Sequence, residues 1–231
     1  LAFSAALHAG AAAALAAAPR SWPAVAAAVV ADHLALLWGG LWPRSALLGS
    51  NLRRLPPAAA RGAVALTFDD GPDPVRTPAV LDLLARHGAR ATFFCVGRCA
   101  AEHPDLVRAI ARGGHRVENH TWSHRNDFFF LGPWRMGREI DRAQDLLAEL
   151  AGAAPAWFRP PAGIRNPWLD GVLAARSLRA ISTARTRLRR SWVTSGLPAR
   201  ERSAPTRRRP SKTPPACCPG EPNHILVGPP H

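Results

Sequence analysis

Cysteine is scarce and poorly spaced. Four of the 231 residues, Cys95, Cys99, Cys217 and Cys218, are cysteines, too few for a disulfide framework at this length, and none has a His or second Cys pair spaced to complete a structural zinc site. They are read as small core residues. No repeat period appears anywhere, and 47% apolar content is enough for one large domain with appendages. Acidic residues are nearly missing from one end: residues 176–231 hold 12 Lys+Arg against Glu201 and Glu221, a net of +10 out of the formal +14, whereas the first 175 residues hold 18 against 14. The basicity is therefore a property of the tail. The body is only mildly basic, and a whole-chain case for a nucleic-acid partner fails.

Charge is also almost absent from the first 42 residues. Leu1 to Ala18 is an Ala/Leu-rich run without charge, and after Pro19-Arg20 a second run, Trp22 to Trp42, carries only Asp32 and His33 as ionisable residues. Each run is close to the length of a membrane span. A hairpin of two spans, a signal peptide followed by one span, and two buried helices all fit; since the chain starts with Leu, a true start upstream is expected. Membrane attachment through residues 1–42 is the expectation, with Trp22, Trp38 and Trp42 at the interface. Asp32 in mid-span works against insertion. Arg44, Arg53, Arg54 and Arg61 follow the second run, which favours a cytoplasmic domain, whereas a secreted substrate requires the opposite; the side of the membrane stays open.

Beyond a linker at 43–61, residues 62–185 alternate short apolar runs with helical patterns. Val64 to Phe68, Ala91 to Val96, His115 to Asn119 and Ala156 to Phe158 read as strands; Thr77 to His87, Leu106 to Arg112 and Met136 to Leu150 read as helices. Strands separated by helices predict an α/β domain with a parallel sheet or barrel, its chemistry at the C-terminal strand ends. Asp69, Asp70, His120 and Arg159 all fall just past a predicted strand. Residues 186–231, rich in Arg, Pro, Ser and Thr, have no sustained period. A disordered tail, a basic arm and out-of-frame translation of a GC-rich gene all fit, and the last is the preferred account.

The stretch LTFDDGP places two carboxylates, Asp69 and Asp70, side by side, which is costly without a cation. His120 and His124 in ENHTWSH are four residues apart, and a helical turn there would put both imidazoles on one face. With one carboxylate they make a two-His, one-carboxylate set suited to a catalytic divalent metal. Taken singly, an H-x3-H spacing or an Asp-Asp pair before Gly-Pro is as often a cap or a turn.

LTFDDGP, then NHTWSH, then FRPPAG, in that order between Ala63 and Arg179, resembles the polysaccharide deacetylase (NodB-like) family, carbohydrate esterase family 4. The resemblance implies a distorted, incomplete (β/α) barrel, here preceded by one or two apolar helices. It implies that Asp69 is the general base, that Asp70, His120 and His124 hold a divalent metal, most often zinc, and that Arg159 orients the base. It further implies removal of an N-acetyl group from an amino sugar of a polysaccharide or lipid-linked glycan. A deformylase acting on an undecaprenyl-linked sugar, an impaired glycan-binding relative and a tail-driven basic binder are the alternatives; no nucleic-acid partner is expected. Trp122 is expected to pack, Asn119 to orient a ligand, Ser123 to serve a turn or cap, and His87, His103 and His115 to lie near helix ends or turns as solvated or capping residues. Ala162 stands where many members carry an aromatic residue. The family's later motifs, including a histidine that acts as general acid, are not recognisable, and His231 is not assigned that role.

Overall fold

The structure, a computed structural model, describes residues 2–42, 45, 47–49, 51–52, 64–182 and, as backbone, 225–227. Arg44, Arg53, Arg54, Arg61, Cys217, Cys218, His231 and most of the basic tail lie outside the described residues.

Two helices come first, α1 (Ala2–Ala17) and α2 (Trp22–Leu41), joined by a 3-10 turn at Pro19–Ser21. Proline fits the first helical turn because its missing N–H is not needed there. Ser4 and His8 of α1 touch Asp32 and His33 of α2, so the pair folds back as a hairpin. Pro19–Leu41, with a mean hydropathy of 1.7, is long and apolar enough to cross a membrane, and Ala2–Ala17 is shorter. Leu34, Leu37, Trp38 and Leu41 are exposed.

The α/β body follows: β1 (Val64–Gly71), α3 (Arg76–Arg86), β2 (Ala91–Cys95), α4 (Gly97–Glu102), α5 (Pro104–Arg112), β3 (Arg116–Asn119), α6 (Pro133–Ala151), β4 (Trp157–Phe158), α7 (Leu169–Ala174), β5 (Arg179–Ala180) and β6 (Ile225–Val227). Strands β1 to β5 are parallel neighbours in chain order, the arrangement of a (β/α) barrel wall, and β6 adds antiparallel to the outer edge of β1. Among the described residues β5 and β6 do not pair, so the wall is an incomplete barrel. β6 falls in the segment that has no sustained period: Ile225–Val227 is too short to show one but pairs with the free edge of β1. Short α4, α7 and β5 were also not predicted from the sequence.

Period-two alternation decides which side chains face which layer. Phe93 and Cys95 of β2 join Leu84, Val107, Ile110, Ala143 and Leu147 beneath helices α3, α5 and α6. Phe94, between them, faces the other way, with Ala65, Trp157 and Ile181. Fully buried Ile140 and Leu147 on α6 each contribute roughly 1.5–3 kcal/mol by leaving water. Cys95 and Cys99 are free and buried. Residues expected to form a linker lie against the body where they are described: Leu48 is buried, and Leu52 bridges to Ile181. The end of α2 docks on the loop after β4, where Arg165 N–H donates to Gly40 O at 3.2 Å and Arg165 Nη2 donates to Ser45 O at 2.7 Å.

Candidate metal centre

Alternation along β1 would send Asp69 and Asp70 to opposite faces. It is interrupted: Phe68 pairs with Phe93 and Gly71 with Cys95, so three steps on β1 match two on β2. The extra residue is accommodated by Asp70, whose φ is 67°, in the left-handed region that few non-glycine residues adopt. Both carboxylates thereby stand at the C-terminal end of the sheet.

His120 follows β3 directly. Its Nδ1 lies 2.6 Å from Arg159 O; a carbonyl only accepts, so Nδ1 carries the proton and Nε2 is left with the lone pair when the ring is neutral. That Nε2 is 3.2 Å from Asp70 Oδ1, and His124 Nε2 is 3.1 Å from the same oxygen. One donor atom from each of the three residues lies within 4.8 Å of the others. Two imidazole nitrogens converging on one carboxylate oxygen fit a divalent ion with borderline ligand preferences, zinc among them.

The electrostatics point the same way. Burial alone would lower the His120 pKa, but the hydrogen bond to Asp70 and the charges of Asp69 and Asp70 outweigh it and raise it. His124 is lowered, by burial first and then by His120. The two carboxylates thus draw positive charge to the spot, and the two rings do not both accept it.

The predicted helical turn between the histidines is not found. Residues 120–127 form an irregular loop with positive φ at Thr121 (68°) and His124 (46°). Side chains hold that loop instead: Asn119 Oδ1 accepts from Thr121 N–H at 2.9 Å, Thr121 Oγ1 accepts from His124 N–H at 3.0 Å, and Glu139 Oε2 accepts from Ser123 Oγ and N–H. Asn119 therefore supports the loop between the histidines rather than touching either ring. The Asn119 amide is fixed in turn by Ile140 O and Gln144 Oε1 on α6. Glu139 and Gln144 were not singled out from sequence; only their place on α6 could have indicated them. Trp122 packs against Gly97 and under the Arg142 guanidinium. Ser123 serves the turn, and His87 and His103 flank helix ends. His115 follows the turn that ends α5 and accepts from Ala91 N–H through Nδ1 at 3.3 Å, at the start of β2.

Arg159 is 1% exposed, with its guanidinium 3.9 Å from the Phe94 ring centroid. Nη1 donates to Asp69 Oδ1 at 2.5 Å and to Thr67 Oγ1 at 3.1 Å. Burial lowers the Arg159 pKa while Asp69 pulls it back up, and the hydrogen bond from Nη1 fixes where the Asp69 carboxyl points. Beneath the site, the Cys95 thiol is pushed up to about 12 by burial and by the charges of Asp69 and Glu118. It is not a nucleophile at neutral pH. Ala162 follows Arg159 in a 3-10 turn at Pro161–Gly163, with φ 55°.

A sequence profile described as polysaccharide deacetylase matches residues 58–180, just over half the chain. A peptidoglycan-N-acetylglucosamine deacetylase from Bacillus cereus is 44% identical over 103 residues, 45% of this chain and 37% of that protein. A chitooligosaccharide deacetylase from Sinorhizobium fredii is 37% identical over 150 residues, 63% of this chain and 68% of that protein. The chain thus spans little more than a third of the first relative's length. A solved family 4 carbohydrate esterase from Streptomyces lividans, in complex with acetate, superimposes with a TM-score of 0.51 at 40% identity, covering 55% of this chain and 65% of that one.

Proposed function

Because the chain belongs to the polysaccharide deacetylase family, we propose that residues 62–185 hydrolyse the N-acetyl amide of an amino sugar in a polysaccharide of the N-acetylglucosamine class, with a divalent metal, zinc first, held by Asp70, His120 and His124. The observation that carries this reading is the meeting of His120 and His124 Nε2 on Asp70 Oδ1 beside the Asp69–Arg159 pair. When bound, the ion supplies Lewis-acid polarisation of an amide carbonyl and a more acidic water.

The protein's own residues do the rest. Asp69 takes the proton of the attacking water as general base. Arg159 orients Asp69 by donating to its Oδ1, and Phe94 and Thr67 hold Arg159 in turn. His120 is locked in one tautomer by Arg159 O, so a single residue positions both the base and a ligand. No residue for protonating the leaving amine is assigned among the described residues. Residues 1–42 are proposed as the membrane attachment: Pro19–Leu41 is long and apolar enough to cross.

The test is acetate release from N-acetylated chitooligosaccharide by the zinc-loaded chain and by Asp69→Asn. The variant is expected to lose about 10²–10⁴-fold in turnover with its metal content unchanged. Equal acetate release by the two would remove Asp69 as base; metal binding with no release by either would identify an inert, glycan-binding relative.

A further inference from the structure

The N-terminal helices contain three ionisable residues, and all three meet. Outside the turn at Arg20, the segments Ala2–Ala17 and Trp22–Leu41 hold only His8, Asp32 and His33. One donor atom from each lies within 4.8 Å of the others. We propose that the hairpin carries a second cation site, built by His8, Asp32 and His33, for a divalent transition ion of the zinc class.

The local chemistry sets up each donor. His8 Nδ1 lies 2.7 Å from Ser4 O, and His33 Nδ1 lies 2.8 Å from Val29 O, each one helical turn back. Those carbonyls accept from N–H only, so both neutral rings keep their lone pair on Nε2. The same hydrogen bond fixes ring orientation, as backbone carbonyls do behind metal-ligating histidines. The rings stand 5.3 Å apart at 70°. Asp32 is 9% exposed, and its Oδ2 accepts from Ser4 Oγ at 2.5 Å, which leaves Oδ1 as a donor toward a cation. An ion pair with one imidazolium would satisfy Asp32 alone and would not require the second histidine. Two neutral imidazoles and a carboxylate carry one negative charge, which a divalent ion reverses, and a fourth position remains for water. Charged residues placed in an apolar helix pair are costly unless they are used. The site would fasten α1 to α2 at a point where Ala-rich packing offers little specificity.

The inference does not rest on the catalytic reading, and one experiment separates them. The full chain in detergent is stripped with chelator, dialysed against zinc alone and assayed by elemental mass spectrometry. Two equivalents are expected for the wild type, one for His8→Gln/His33→Gln, and one for His120→Ala. Glutamine can still donate to the Ser4 and Val29 carbonyls, and circular dichroism verifies that the hairpin stays helical. Cobalt titration gives a second readout: saturation of the visible spectrum at two equivalents is expected for the unaltered chain. A cobalt titration that His8→Gln/His33→Gln leaves unchanged, or a zinc content that it leaves at the wild-type value, overturns the proposal. Loss of metal in that variant with none lost in His120→Ala would uphold the hairpin site and defeat the catalytic one.

Discussion

Asp70 joins Asp69 on one side of the sheet because β1 takes an extra residue there at positive φ. The adjacency of the two carboxylates was legible in LTFDDGP; the bulge that makes them neighbours of His120 was not, because no periodicity marks a single inserted residue. The histidine spacing was legible for the opposite reason to the one expected, since a side-chain-braced loop rather than a helical turn brings the rings together. At this scale two outcomes are expected. His120→Ala lowers zinc content at the site, measured by elemental analysis after dialysis; unchanged content would defeat the ligand assignment. Arg159→Met leaves Asp69 without its buried partner and is expected to cost about 3–5 kcal/mol of stability, read from urea unfolding, together with most of the turnover. Retained stability would show that the ion pair is not structural.

At the scale of elements, β1 to β4 and helices α3, α5 and α6 were legible as apolar runs or periodic stretches, and α4, α7, β5 and β6 were not. α4 (GRCAAE) is short and opens on glycine, yet Gly97 and Arg98 N–H donate to Thr121 and Trp122 carbonyls and so seat the histidine loop. β5 pairs only Arg179 and Ala180 with β4. His115 connects two strand starts, accepting from Ala91 N–H, and its pKa is lowered below 6.5, by burial first and by Arg90 second. A depressed histidine pKa means that its contribution is present in full above the unfolded value and is lost as pH falls through the folded one. Urea midpoints are therefore expected to decline as pH drops below about 6.5, and His115→Asn, which keeps an acceptor but does not titrate, is expected to reduce that slope. An unchanged slope would assign the decline to other groups.

For the whole molecule, the barrel wall and its apolar N-terminal helices were foreseen together, but their contact was not. The docking of Arg165 on the end of α2 fixes the body close to the hairpin, so a membrane that holds α2 also sets the distance between bilayer and site. The full chain is expected to float with phospholipid vesicles, and Val30→Arg/Leu34→Arg, both exposed near the middle of Pro19–Leu41, to reduce flotation, since each arginine costs about 2.5–3.5 kcal/mol near a span centre. Flotation that survives both changes would place the attachment elsewhere. Sequence could not supply the Arg165 contact because it joins residues more than a hundred positions apart through backbone carbonyls, which leave no trace in side-chain pattern. The central claim is that this chain hydrolyses an N-acetyl amide only with a divalent ion at Asp70, His120 and His124. It is tested most directly by measuring acetate release from N-acetylated chitooligosaccharide before chelation, after chelation, and after zinc is restored. The account predicts release, loss and recovery; release that continues in chelated protein shown to be free of metal would contradict it.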